Sequence, residues 1–227
     1  MSTKQPFETD VLPTSAGDLI LHFLGHGSLR FTFGGKEIYA DPFSDVADFS
    51  GLPKADFILV THHHSDHFDP RAIAGIRTEK TQMVLTAACA GKFSGETVMQ
   101  NGDERTVAGV KVEAVPAYNL VHKRGNGQPF HIPGEGNGYV LTLGSQRIYI
   151  AGDTENIPEM KNLPPIDMAF LPVNVPYTMS PEMAADAARM IRPRILYPYH
   201  FGETDLSRLT GLLKDEKGIE IRIRRMG

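Results

Sequence analysis

The stretch Val60-Thr61-His62-His63-His64-Ser65-Asp66-His67 restricts this chain more than any other. It follows the apolar run Phe57-Ile58-Leu59, which reads as a buried strand, and precedes Asp69-Pro70, a helix cap with proline at the first helical position. Strand, ligand-rich loop and helix in that order are how an α/β protein presents chemistry at the carboxyl edge of a sheet. The loop offers three imidazoles and a carboxylate in the pattern His-x-His-x-Asp-His, the donors that zinc and similar divalent ions prefer. His63 lies between ligand positions and is expected to point away.

The chain has 227 residues, enough to bury a real core as one large domain or two small ones. We read it as one domain over 1–227, with residues 1–17 a loose leader that carries Pro6, Pro13 and Gly17 and little periodicity. Alternating or apolar runs predict strands over 18–24, 29–33, 36–40, 82–86, 110–115, 138–143, 147–151, 167–171, 194–198 and 219–223. Shorter strand-like pieces flank Asn101-Gly102, and Gly34-Gly35 signals a hairpin. Helices are expected over 70–76, over 181–191 behind the cap Ser180-Pro181, and over 204–214. Residues 31–41 and 141–153 share a pattern, each a hairpin whose outgoing strand hands over an aspartate. Either two hairpins converged on it, or a β-rich half was duplicated to give two sheets face to face with helices outside.

The remaining candidate ligands, Asn119, Asp153 and His200, each follow a predicted strand, and strand ends on one edge converge in space. Residues 120–137 form the one long irregular segment, with His122 and His131 inside it, and a loop of that length is more often functional than decorative. His22 sits inside an apolar strand and reads as a satisfied core residue. Asp41 and His26 read either as turn residues or as parts of a site.

His62-x-His64-x-Asp66-His67, Gly152-Asp153-Thr154 and Tyr199-His200 together resemble the metallo-β-lactamase superfamily of metal-dependent hydrolases, in order and spacing, from about Leu19 to the C-terminus. Gly25-His26-Gly27-Ser28 and Asp41-Pro42 resemble the branch that includes L-ascorbate-6-phosphate lactonase and N-acylphosphatidylethanolamine phospholipase D. The resemblance implies an α+β fold, a four-layer αββα sandwich of two mixed sheets with helices outside. It implies one or two zinc ions, with manganese or iron as alternatives, holding a hydroxide for attack on a phosphoester or a lactone or amide bond. By position, His62 and His64 would bind the first ion, Asp66, His67 and His200 the second, and Asp153 both. Asp66 and His200 would also stand nearest the reaction.

The third ligand of the first ion departs from the pattern. Where the resemblance places histidine, this chain has Asn119, a poorer zinc ligand. His131, flanked by Pro129, Phe130 and Pro133, is the favoured substitute over His122 and Asn119. Asp41 would then support a ligand from outside the coordination shell, and His26 would lie near the site. The flavodiiron type of site carries glutamate where His64 stands, so His64 favours hydrolytic over oxygen chemistry.

A net charge of −4 argues against nucleic acid as partner, which leaves a small-molecule substrate. A non-catalytic sensing module is the alternative in another class, opposed by the complete ligand set. No apolar run reaches transmembrane length, and the N-terminus lacks a signal-peptide pattern. The single cysteine, Cys89, sits among small residues as a buried thiol, which fits a reducing compartment and a cytoplasmic protein. Oligomeric state stays open.

Overall fold

A computed structural model describes residues 7–227. The chain builds two seven-stranded sheets in succession. In the first, β1 (Glu8–Thr14), β2 (Gly17–Gly25), β3 (Ser28–Phe33) and β4 (Lys36–Ala40) run as an antiparallel meander. β5 (Phe57–Leu59), β6 (Gln82–Leu85) and β7 (Glu96–Val98) then add in parallel. The second sheet repeats the plan. β8 (Glu104–Val107), β9 (Val110–Ala117), β10 (Gly136–Leu143) and β11 (Gln146–Ile150) are antiparallel. β12 (Met168–Pro172), β13 (Ile195–Tyr199) and β14 (Glu220–Ile221) are parallel. The similar hairpins noted in the sequence are β3–β4 and β10–β11, which occupy the same two places in their sheets.

The inner parallel strands β5, β12 and β13 are buried on both faces and apolar throughout, as strands covered on both sides must be. In β5, Phe57 and Leu59 face the interior between the sheets while Ile58 faces outward; in β12, Met168 and Phe170 face in and Ala169 and Leu171 out. Leu21, Phe31, Ile38, Val112, Leu141, Ile148 and Tyr197 complete the central layer. α1 (Pro70–Ile76) covers the outer face of the first sheet through Ala72, Ile73 and Ile76. α2 (Pro181–Ile191) and α3 (Ser207–Leu213) cover the second through Ala184, Ala188, Leu209 and Leu213. This is the αββα sandwich. Both expected caps form: Asp69 accepts from the amides of Arg71 and Ala72, and Ser180 from that of Met183. No described helix is long and apolar enough to cross a membrane.

Three expectations change. Residues 8–14 of the supposed leader are a paired edge strand, and the part of that expectation on residues 1–6 lies outside the described residues. Glu8, Asp10 and Pro13 are poor strand formers, but an edge strand tolerates proline because one flank needs no amide donor. α3 starts at Ser207, not 204, because Asp205 takes the Ser207 amide. The last strand pairs only over Glu220–Ile221, after which Arg222 and Arg224 turn to Asp10.

Candidate metal centre

Two groups of donors form where the sheets' carboxyl edges meet: His62, His64, His131 and Asp153, and beside them His26, Asp66, His67 and His200. Within each group the ligand atoms lie within 4.8 Å of one another. β5 feeds the His62–His67 loop, β11 delivers Asp153, and β13 delivers His200. His131 comes from the long loop between β9 and β10. His63 is exposed and takes no part.

Asp153 stands between the groups. Its Oδ2 lies 3.2 Å from His131 Nε2, 3.5 Å from His200 Nε2 and 3.8 Å from His62 Nε2, while its Oδ1 lies 3.4 Å from His67 Nε2. His64 turns Nδ1 inward, 3.1 Å from His62 Nε2 and 3.2 Å from His131 Nε2. On the other side Asp66 Oδ2 is 3.0 Å from His26 Nε2 and 3.4 Å from His200 Nε2. Four atoms here are buried without a hydrogen-bond partner among the described residues: His67 Nε2, Asp153 Oδ1, and both ring nitrogens of His200. Leaving such atoms unpaired costs about 1–3 kcal/mol each, and for His67 Nε2, Asp153 Oδ1 and the unprotonated nitrogen of His200 a cation accepting the lone pair removes that cost. The donor set therefore fits two ions of the zinc class.

Outer residues fix the ring orientations. Asp41, fully buried, accepts from His67 Nδ1 at 2.7 Å and from the amide and hydroxyl of Thr61 at 2.8 and 2.6 Å. Thr61 Oγ1 in turn lies 3.0 Å from His62 Nδ1. Asn119, a candidate ligand in the sequence, does a different job: its Oδ1 accepts the His131 backbone amide at 3.0 Å and lies 2.7 Å from His131 Nδ1. Asn119 thus sits behind His131, not beside it. His122 does not join either group; its Nδ1 is 2.6 Å from Glu155.

Glu155 went unnoticed in the sequence. Fully buried, it accepts the amides of Leu120, Val121 and His122 at 2.6–2.8 Å and the Asn119 side chain at 3.2 Å. It thereby pins the start of the loop that carries His131. Its place two residues after Asp153, in a polar run following a strand, was the only available signal. Thr61, inside an apolar approach, had none.

Three of the site's residues hold left-handed backbone: His26 (φ 51°), Asp41 (φ 46°) and His200 (φ 51°). Such a conformation costs a non-glycine residue about 1–2 kcal/mol and turns each side chain off its strand's axis into the site. The His200 amide donates to the His26 carbonyl at 3.1 Å, and the two rings lie 3.7 Å apart. Gly27, between His26 and Ser28, leaves room for His67; a Cβ there would come within 2.9 Å of its ring.

Burial, reinforced by His67, holds His62 well below the usual imidazole range, and burial with neighbouring His131 brings His64 down to about 4. Both are neutral and ready to ligate at pH 7. Burial opposes the charged form of His67, but Asp153 and Asp41 outweigh it and push the ring up to about 10. Burial opposes ionisation of Asp153 as well, and the imidazoles of His200 and His67 overcome it, keeping it well below the carboxylate range.

A cavity of about 370 Å³ opens onto the centre, walled by His26, His64, Asp66, Asp153 and His200 on the floor side and by Arg124, Phe130, Asn174 and Tyr177 at the mouth. The loop over residues 120–137 and the segment 173–179 both contribute to its walls.

The Beta-lactamase superfamily domain family matches residues 20–200. A UPF0173 metal-dependent hydrolase of Pyrococcus abyssi is 35% identical over 192 residues, covering 79% of this chain and 83% of that protein. A crystal structure from Parabacteroides distasonis, described as a metal-dependent hydrolase, superposes with a TM-score of 0.92 at 47% identity, covering 97% of this chain and all of that one. A metallo hydrolase of Ignicoccus hospitalis, at 20% identity and a TM-score of 0.73 over 92% of this chain and 96% of its own, shares the fold.

Proposed function

Because the chain belongs to the β-lactamase superfamily and, within it, to the UPF0173 metal-dependent hydrolases, we propose that it hydrolyses a phosphoester, or a lactone or amide bond, of a small molecule at a two-ion centre. The observation that carries this reading is the set of buried, unpartnered atoms His67 Nε2, Asp153 Oδ1 and His200 Nε2 around one shared space. His62, His64 and His131 would hold the first ion and Asp66, His67 and His200 the second, with Asp153 between them. Bound ions of the zinc class supply an activated water and polarise the substrate oxygen.

The chain's own residues do the rest. Asp41 and Thr61 hold His67 and His62 in the tautomer that frees Nε2. Asp66, whose side chain is 34% exposed, faces the cavity and is steadied by His26, so it and His200 stand nearest a bound substrate. Those two contacts, of His26 with Asp66 and of Asp41 with His67, support a place near the ascorbate-6-phosphate lactonase branch. The lone thiol, Cys89, is buried, which supports a cytoplasmic location.

Elemental analysis of the purified protein, coupled to a panel of lactones, esters, amides and phosphodiesters, tests the reading. His64→Ala and Asp153→Ala should each lower metal content and abolish turnover with the far-UV spectrum retained. Full activity in both variants sinks the assignment. Bound metal without turnover across the panel favours a metal-binding module instead.

A further inference from the structure

Arg124 stands at the mouth of the cavity on a tight turn. Its amide donates to Gln128 O at 2.7 Å, the Gly127 amide returns to Arg124 O at 2.9 Å, and Lys123 bridges to Pro129. The guanidinium lies over the Phe130 ring, 5.1 Å from its centre, and donates to Phe130 O at 3.1 Å. Nη2 also comes within 3.4 Å of His64 Nε2, so the charge sits just across one imidazole from the first donor group. A guanidinium has five N–H donors, and this one has a single clear acceptor, the Phe130 carbonyl, because His64 with Nδ1 turned inward carries its hydrogen on Nε2. Among the described residues no carboxylate pairs with it; the cavity's two, Asp66 and Asp153, are taken up by the histidine groups.

The surroundings of Arg124 are apolar. Phe130 packs edge-on against Tyr177 with ring centres 5.2 Å apart. Leu120, Val121, Ile132, Val175 and Tyr177, on the same two loops, are 39–64% exposed. Eight large apolar side chains among the described residues are exposed to this degree, and five belong to these two loops, of which Tyr177 lines the cavity.

We propose that Arg124, with Phe130 and Tyr177, forms a substrate subsite for an oxyanion carried on an apolar body. The inference rests on the hydrolase reading and deepens it: the substrate is a small ester or lactone with a carboxylate or phosphoryl group near the scissile bond and an aliphatic or aromatic remainder. The planar fork matches an oxyanion with two parallel donors, and the aromatic neighbours shield that pairing from water. The remainder lies against Phe130 and Tyr177.

Zinc-loaded protein is compared with Arg124→Ala, Arg124→Lys and Arg124→Glu, each checked for metal content. One arm measures kcat/KM for 4-nitrophenyl butyrate and for mono-4-nitrophenyl glutarate, which differ by a carboxylate. The ratio of charged to neutral ester should fall about tenfold or more in Arg124→Ala, further in Arg124→Glu, and recover in part in Arg124→Lys. The second arm needs no turnover: calorimetric Kd values for phenylphosphonate and phenylacetate should rise about tenfold in Arg124→Ala, the larger rise naming the preferred oxyanion. An unchanged ratio with unchanged Kd values overturns the subsite. If the wild type turns over neither ester but Arg124→Ala still weakens phenylphosphonate, the subsite is supported and the hydrolase reading is what fails.

Discussion

The side chain of Asn119 serves the candidate metal centre from behind one of its donors. Its oxygen fixes His131 through both the ring and the backbone, while its nitrogen donates to Glu155 and to the Tyr177 carbonyl. The order Glu155, Asn119, His131 is a line of supports running from a buried carboxylate to a ligand. Burial raises the cost of Glu155's charge, but the amides of Val121 and His122 overcome it and keep the group ionised. Asn119→Ala should therefore weaken one of two ions by about 10–100-fold, the usual effect of removing an outer support. Competition with a chelating dye measures it, and two unchanged affinities would refute the role. The spacing of His62, His64, Asp66 and His67 made half the centre readable in the sequence. The choice of His131 over Asn119 and His122 rested on flanking prolines and phenylalanine, and the contact that decides the geometry, Asn119 behind His131, leaves no mark in a linear pattern.

At the scale of elements, the turn between β2 and β3 matters as much as the histidine loop. Gly25-His26-Gly27 bends the chain so that His26 enters the second donor group and Gly27 clears His67. Gly27→Ala would press a methyl within 2.9 Å of the His67 ring and push it off Asp41. Expected are loss of metal from the second group and a destabilisation of about 1–3 kcal/mol, the range for overpacking. Metal stoichiometry and a denaturant melt check it; a full complement of metal with wild-type stability contradicts the packing argument. The inner parallel strands were legible because both of their faces are apolar, and α1 and α2 because Asp69-Pro70 and Ser180-Pro181 announce their starts. β1 was not legible. What holds it is an edge ladder and a charge cluster contributed by residues more than 180 positions away.

That cluster belongs to the whole molecule. Asp10, on the first sheet's edge, accepts from Tyr197 of β13 and from Arg222 and Arg224 beyond β14, tying the two sheets together at one margin. Burial disfavours its charge, yet the Tyr197 hydroxyl and the two guanidinium groups more than compensate and lower its pKa below the ordinary 3.8. A carboxyl depressed on folding stabilises above its unfolded pKa and loses that contribution as pH falls through its folded one. Asp10→Asn should thus cost about 1–3 kcal/mol at pH 7, and the gap from wild type should close in acid, below 3.8. Urea melts at both pH values decide the matter; a gap that persists in acid assigns the cost to packing. The carboxyl ends of the strands carry the metal donors, and their origin has a further consequence. His26, His62, His64, Asp66 and His67 come from the first sheet's segment of the chain, His131, Asp153 and His200 from the second's, and neither set completes a coordination sphere alone. An ion held there acts as a rivet: it closes a chain loop from residue 26 to residue 200 and can bind tightly only to the docked pair of sheets. Its binding free energy is then part of the free energy of folding, about 2.7 kcal/mol when free metal stands at a hundred times its Kd. An ion bound at that centre would make the closure of the two halves of the sandwich depend on the free metal concentration.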